Sequence, residues 1–229
     1  MLSNSFKLYF NPQGYNNNRC SGYALASIIV EIFSHRNFLI KCNAKNKDLG
    51  MYFYDGLCTY QEELLRGYTQ ESVSMQFLNS PANIAGETCM IFPSALVHYC
   101  FSLGLTPTLF YSSERESIFQ TEVFEEDCNR MKEFLTPVSG YKEFKLRARK
   151  YRYLLVLTRY KHWVALKSTK EGYYLFDPAP KEFEGGVFGP GTFETMLPEI
   201  SEKYHSKYFY DILIGLCPAM VPKQSTSCG

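Results

Sequence analysis

An apolar pattern with no polar face begins at Cys20. In CSGYALASIIVEIF the positions Ala24, Leu25, Ala26, Ile28, Ile29, Val30, Ile32 and Phe33 point in every direction around a helix. A helix that is apolar all round belongs inside a fold rather than on its surface. The pattern predicts a buried helix from Cys20 to about 35–37, entered from a polar, Asn-rich loop (Asn11–Arg19). A short strand is expected before that loop, at Phe6–Phe10. Residues 38–60 mix short apolar runs with Gly50 and Gly56 and yield no assignment. A short helix is expected at Gln61–Tyr68 and a loop at Asn79–Glu87. Pro93 opens PSALVHYCFSL, which Gly104 closes, the usual asymmetry of helix ends. LTPTLFY (Leu105–Tyr111) reads as a strand, and Phe124–Leu135 as a helix whose acidic start suits its dipole.

The C-terminal half changes period. Tyr151–Leu157, His162–Ser168 and Gly172–Phe176 are short runs rich in Val, Leu and Tyr, with brief turns between them, and predict an antiparallel meander. A Gly- and Pro-rich loop (Gly185–Gly191), a helix (Phe193–Tyr204) and a last strand (Asp211–Cys217) follow. Helices first and a sheet afterwards predict an α+β fold of two lobes with a cleft between them. The lobes would be helical over about 11–140 and β over about 141–220, joined by the N-terminal strand, all within one domain.

The 229 residues suffice for a substantial core, and 45% hydrophobic with 21% charged residues excludes wholesale disorder. A formal net charge of +1 gives no bulk attraction for nucleic acid. No stretch reaches the roughly 18 apolar residues of a membrane span. The eight cysteines contain no CxxC pair and lack zinc-site spacing, so no metal and no cofactor are expected. MLSNSFKLYF is no signal peptide, which favours reduced, buried thiols over disulfides. The chain is therefore expected in the cytoplasm, or exported by a specialised bacterial secretion system without a cleavable leader. With Met1 as the start, too little chain precedes Cys20 for an inhibitory propeptide.

Two stretches carry chemistry. Cys20 opens the buried helix, where unpaired N–H groups and the helix dipole favour negative charge, and a thiolate is the reactive form of a cysteine. In KHWVALKSTKEGYYLFDPA, His162 begins one predicted strand and Asp177 ends the next. In an antiparallel hairpin those two ends are neighbours. A carboxylate beside an imidazole fixes its tautomer and stabilises its charged form. Sulfur to attack, imidazole to carry the proton and carboxylate to orient the ring are the parts of nucleophilic acyl chemistry.

The order of these residues resembles the papain-like cysteine peptidases: Cys20 at the head of a long apolar helix, His162–Trp163 at a strand start about 140 residues on, and YYLFDP at a strand end. In detail it is similar to the C39-like branch and to bacterial effector peptidases and deamidases of that fold. The resemblance implies a helical lobe led by the nucleophile helix, packed on a curled antiparallel sheet, with the active site between them. It makes Cys20 the nucleophile, His162 the general base and Asp177 its orienting residue. It implies an oxyanion-hole side chain shortly before the cysteine: Gln13, with Asn16, Asn17 and Asn18 as rivals, and the Cys20 N–H as second donor. Trp163 and Gly22 are expected to line the substrate groove. The implied activity is hydrolysis of an amide bond in a protein or peptide. The same triad would serve a glutamine deamidase or an acyl transferase, and a papain-shaped binding module without activity is the reading of another class.

Each singled-out residue also has a plain structural reading. A buried cysteine is often a small hydrophobe, and Asp177 before Pro178 is a natural turn former. His98 sits mid-helix among apolar residues. His35 and His205 fall at helix ends, where imidazolium suits the dipole. The basic run from Tyr141 to Lys161 is a solvated face on the plain reading. It would otherwise steer an acidic protein or touch anionic lipid.

Overall fold

The computed structural model of the chain describes residues 19–33, 48–65, 91–112, 135–138, 140–158, 162–179, 186–197 and 210–218. Within them five helices and seven strands form an α+β fold. The helices are α1 (Cys20–Ile32), α2 (Leu49–Leu65), α3 (Pro93–Ser102), α4 (Gly140–Ala148) and α5 (Phe193–Met196). The strands are β1 (Leu105–Ser112), β2 (Leu135–Val138), β3 (Tyr153–Thr158), β4 (Trp163–Ser168), β5 (Tyr173–Asp177), β6 (Gly186–Gly191) and β7 (Tyr210–Pro218).

The strands form one sheet in the order β2-β1-β7-β3-β4-β5-β6. Every neighbouring pair is antiparallel except β1 with β2. Strand side chains alternate between faces, so the sheet sends its residues into two cores. Leu155, Leu157, Trp163, Ala165, Phe176 and Ile214 pack with α1, α2 and α3. Leu154, Val156, Val164, Leu166, Leu175 and Leu213 face the other way and pack with Ala148 of α4 and Phe193 of α5.

As its pattern requires, α1 is enclosed: Ala24, Leu25, Ala26, Ile28 and Ile29 have no exposed surface. The sheet covers one side of it and α2 the other. Gly22 and Gly50 make the second contact possible. A methyl group at Gly22 would lie 2.4 Å from the Gly50 carbonyl oxygen and 2.6 Å from Tyr54 Cβ, and one at Gly50 would enter the Tyr23 ring. Tyr23 and Asp48 lock the same junction, hydroxyl to carboxylate at 2.7 Å.

Several expectations need correction. The unassigned stretch before residue 60 contains most of α2, so the helix expected at Gln61 starts twelve residues earlier, at Leu49. Gly50 and Gly56 read as breakers, yet both serve tight packing against aromatic rings. The loop expected at Gly185–Gly191 contains β6. Leu135, placed at the end of a helix, opens β2. α1 stops at Ile32, and α5 spans only Phe193–Met196. The sheet also recruits β1 and β2 from the stretch assigned to the helical lobe, so it is not confined to the C-terminal segment. The strand expected at Phe6–Phe10 lies outside the described residues.

Gly22→Ala is expected to destabilise the protein by about 1–3 kcal/mol, because its methyl group meets backbone that cannot step aside. Gly56→Ala, whose methyl group meets only the tip of the Tyr99 side chain, is expected to cost less. Urea midpoints of the two variants check the order.

Candidate active site

Cys20 is the first residue of α1, and nothing caps the helix there. Arg19 stands at the cap position without a side-chain hydrogen bond to the helix, and the first turn holds no acid. The amides of Gly22 and Tyr23 both donate to the Arg19 carbonyl. Those of Cys20 and Ser21 come before the first helical bond, where amides have no partner within the helix. The positive end of the helix dipole thus lies at the sulfur. The Arg19 guanidinium sits 5.9 Å from the centre of the Tyr54 ring and reaches the Met51 sulfur.

The sheet supplies the partners. The backbone N–H of Trp163, at the start of β4, donates to Cys20 Sγ at 3.4 Å. His162, one residue earlier, places Nε2 2.6 Å from Asp177 Oδ1. β4 and β5 pair with Ala165 opposite Phe176, so the end of β5 lies beside the start of β4. With Nε2 committed to Asp177, Nδ1 is the ring nitrogen left for the hydrogen bond between His162 and Cys20. Asp177 is fully buried, and the same Oδ1 accepts the Ala179 amide at 2.9 Å. The turn-forming and ring-orienting readings of Asp177 therefore hold together. The His162 side chain keeps 20% of its surface exposed, so the ring is reachable from one side.

Electrostatics favour a charged imidazole. Burial alone would lower the His162 pKa. The charge on Cys20, the hydrogen bonds to Asp177 and Cys20, and the charge on Asp177 outweigh it and raise the value from 6.5 to about 10. Among the described cysteines, Cys100 shows the opposite case: it is fully buried in the core, and burial alone pushes its thiol up.

Of the residues singled out in the sequence, Cys20, His162 and Asp177 come together. Trp163 and Gly22 do not line an open groove. The Trp163 ring is fully buried, its indole N–H donating to the Ile91 carbonyl at 3.1 Å, and Gly22 is sealed between α1 and α2. The contribution of Trp163 is its backbone N–H, which residue identity does not advertise. Ile91, which receives the indole, belongs to a segment that Gln61 also holds, through the Phe92 amide at 2.7 Å. Gln13, Asn16, Asn17 and Asn18 lie outside the described residues. His98 is on α3, in a different element from the three converging groups. No family model matches the chain, and no curated protein is similar to it in sequence.

Removing either partner of the ring should lower its pKa. Cys20→Ala and Asp177→Asn are each expected to bring the His162 titration down from about 10 by about 1–3 pH units. Imidazole chemical shifts followed by NMR from pH 5 to 11 measure it.

Proposed function

We propose that this chain is a thiol hydrolase of papain-like design, cutting an amide bond in a protein or peptide. One observation carries the reading: a buried ring held by Asp177 through Nε2 stands next to a helix-end sulfur that receives a backbone N–H. That is a nucleophile–base–orienter set with the base already oriented.

The chemistry follows from the protonation states. His162 carries its proton at neutral pH, so the nucleophile is a sulfur with negative charge beside an imidazolium. The sulfur attacks the carbonyl carbon, and the C=O pair moves onto oxygen. The free amide N–H of Cys20 at the head of α1 is a donor for that oxyanion, with a side chain of the preceding loop as the second. The tetrahedral intermediate collapses as the C–N bond breaks, and His162 gives its proton to the leaving amine. A thioester remains on Cys20. Neutral His162 then takes a proton from water, the hydroxide displaces sulfur, and the carboxylic acid leaves. Asp177 keeps the ring in position throughout without taking the proton.

Two measurements test this. Iodoacetamide at pH 6 is expected to label buried Cys20 at least about tenfold faster than exposed Cys217, with His162→Ala abolishing the advantage. Equal rates, unaffected by that substitution, would point to a binding module. Incubated with a peptide library, the protein is expected to generate new chain ends. Cys20→Ala and His162→Ala should each reduce kcat/KM by roughly a thousandfold or more. A gain of about 1 Da on glutamine without cleavage, or a cross-link to an amine, would reassign the same triad to deamidation or transfer.

A further inference from the structure

The basic run of the sequence divides once the fold is in place. Arg147 pairs with Glu143, and Lys145 with Glu194, so these two serve the surface of α4 and its contact with α5. Arg149 also reaches Glu194, at 2.8 Å, but it lines a cleft of about 700 Å³ together with Lys150 and Arg152. Lys170, on the turn between β4 and β5, joins them from the other side.

Three separate elements thus bring cations to one concavity: the end of α4, the approach to β3 and the β4–β5 turn. Four cations face two carboxylates, Glu31 and Glu171. Glu31 is already neutralised by Lys167, and Glu171 is engaged by the Tyr174 hydroxyl at 2.7 Å. Lys150 and Lys170 pair with no acid among the described residues. Ser168 adds a hydroxyl to the lining. The cleft lies at the far ends of α1 and β4 from the triad. Glu31 is about 16 Å along the helix from Cys20, and Ser168 about 20 Å along the strand from His162.

We infer that this cleft binds a small, multiply phosphorylated polyol, either free or as the headgroup of a lipid. The volume falls within the range of small-molecule sites, about 300–1,000 Å³. Cations spaced around a rim match several phosphates on one ring better than a single anion, since Arg offers a fork and Lys a point charge to each. A nucleic acid would need a basic track longer than this cleft, and the whole chain carries only +1.

The test is calorimetry on the full chain at about 0.05 M salt, with inositol trisphosphate as probe and inorganic phosphate and inositol as controls. Inositol trisphosphate is expected to bind at least about tenfold tighter than phosphate, and inositol not at all. Lys150→Glu with Lys170→Glu, two exposed positions, should weaken binding about tenfold or more without moving the unfolding midpoint. Should that variant unfold, Lys150→Gln with Lys170→Gln serves, with a smaller loss expected. Phosphatidylcholine vesicles with about 5% phosphatidylinositol bisphosphate distinguish the sources. Binding that soluble trisphosphate competes away assigns the headgroup. Trisphosphate binding without vesicle binding assigns the free polyol. No trisphosphate binding, binding no tighter than phosphate, binding indifferent to both double variants, or vesicle binding that trisphosphate does not displace would each overturn the assignment. None of these outcomes depends on the activity of Cys20.

Discussion

Helix α1 and strand β4 run side by side in the same direction, joined at both ends, and the rest of the arrangement depends on that seam. At one end the Trp163 amide meets the Cys20 sulfur, across 143 positions of sequence. At the other, Lys167 of β4 meets Glu31 of α1. The lengths agree: eleven helical steps cover about 16 Å, and four strand steps about 13 Å. Between the two joints lie fully buried side chains, Leu25, Ile28 and Ile29 on the helix and Trp163 and Ala165 on the strand. Helix and strand are therefore held against sliding, and the sulfur and the imidazole keep their places relative to each other.

The two joints have different physics. Lys167 is 1% exposed, and Glu31 is mostly covered. Charges taken out of water repay that cost only through each other, and removing one partner of such a pair costs roughly 3–5 kcal/mol. The pair is weak evidence for stability but a strong constraint on register, because no neighbouring pairing satisfies both groups. The joint at Cys20 works the other way. Its donors are backbone amides and a helix end, which cannot be mutated away or swing aside. A preorganised set of dipoles holds developing negative charge without reorganising. The ring beside it is steadied by Asp177, itself fixed through the Ala179 amide.

Much of this was legible in the chain. The helix at Cys20 declared itself because no polar residue interrupts its apolar run before Glu31. The β4–β5 hairpin was legible because its strands are β-branched and aromatic and its turn is short, and the neighbourhood of His162 and Asp177 follows from hairpin geometry alone. What escaped lies where Gly and Pro read as breakers. β2 and β6 contain Pro137 and Pro190, and they are the two edges of the sheet, where a missing N–H costs nothing. α2 contains two glycines whose missing side chains are filled by aromatic rings from α1 and α3. Propensity is a local quantity, and these positions were decided by partners distant in sequence.

The reasoning that located the His162–Asp177 pair extends to the joint that was overlooked. Glu31 is the only charge in α1, and Lys167 the only charge in β4. Strand alternation puts Lys167 on the face of Trp163 and Ala165, toward the helix that carries Glu31. A buried charge must find its opposite. Two elements that each hold one unmatched charge of opposite sign are therefore predicted neighbours, before any coordinates. The clue was a polar residue breaking an apolar pattern, the same clue that marked His162. The difference was only that imidazole next to carboxylate suggests chemistry, while lysine in a strand is read as solvent-facing. In this fold the structural pair and the reactive pair secure the same two elements, and each was written into the chain as an exception to its pattern.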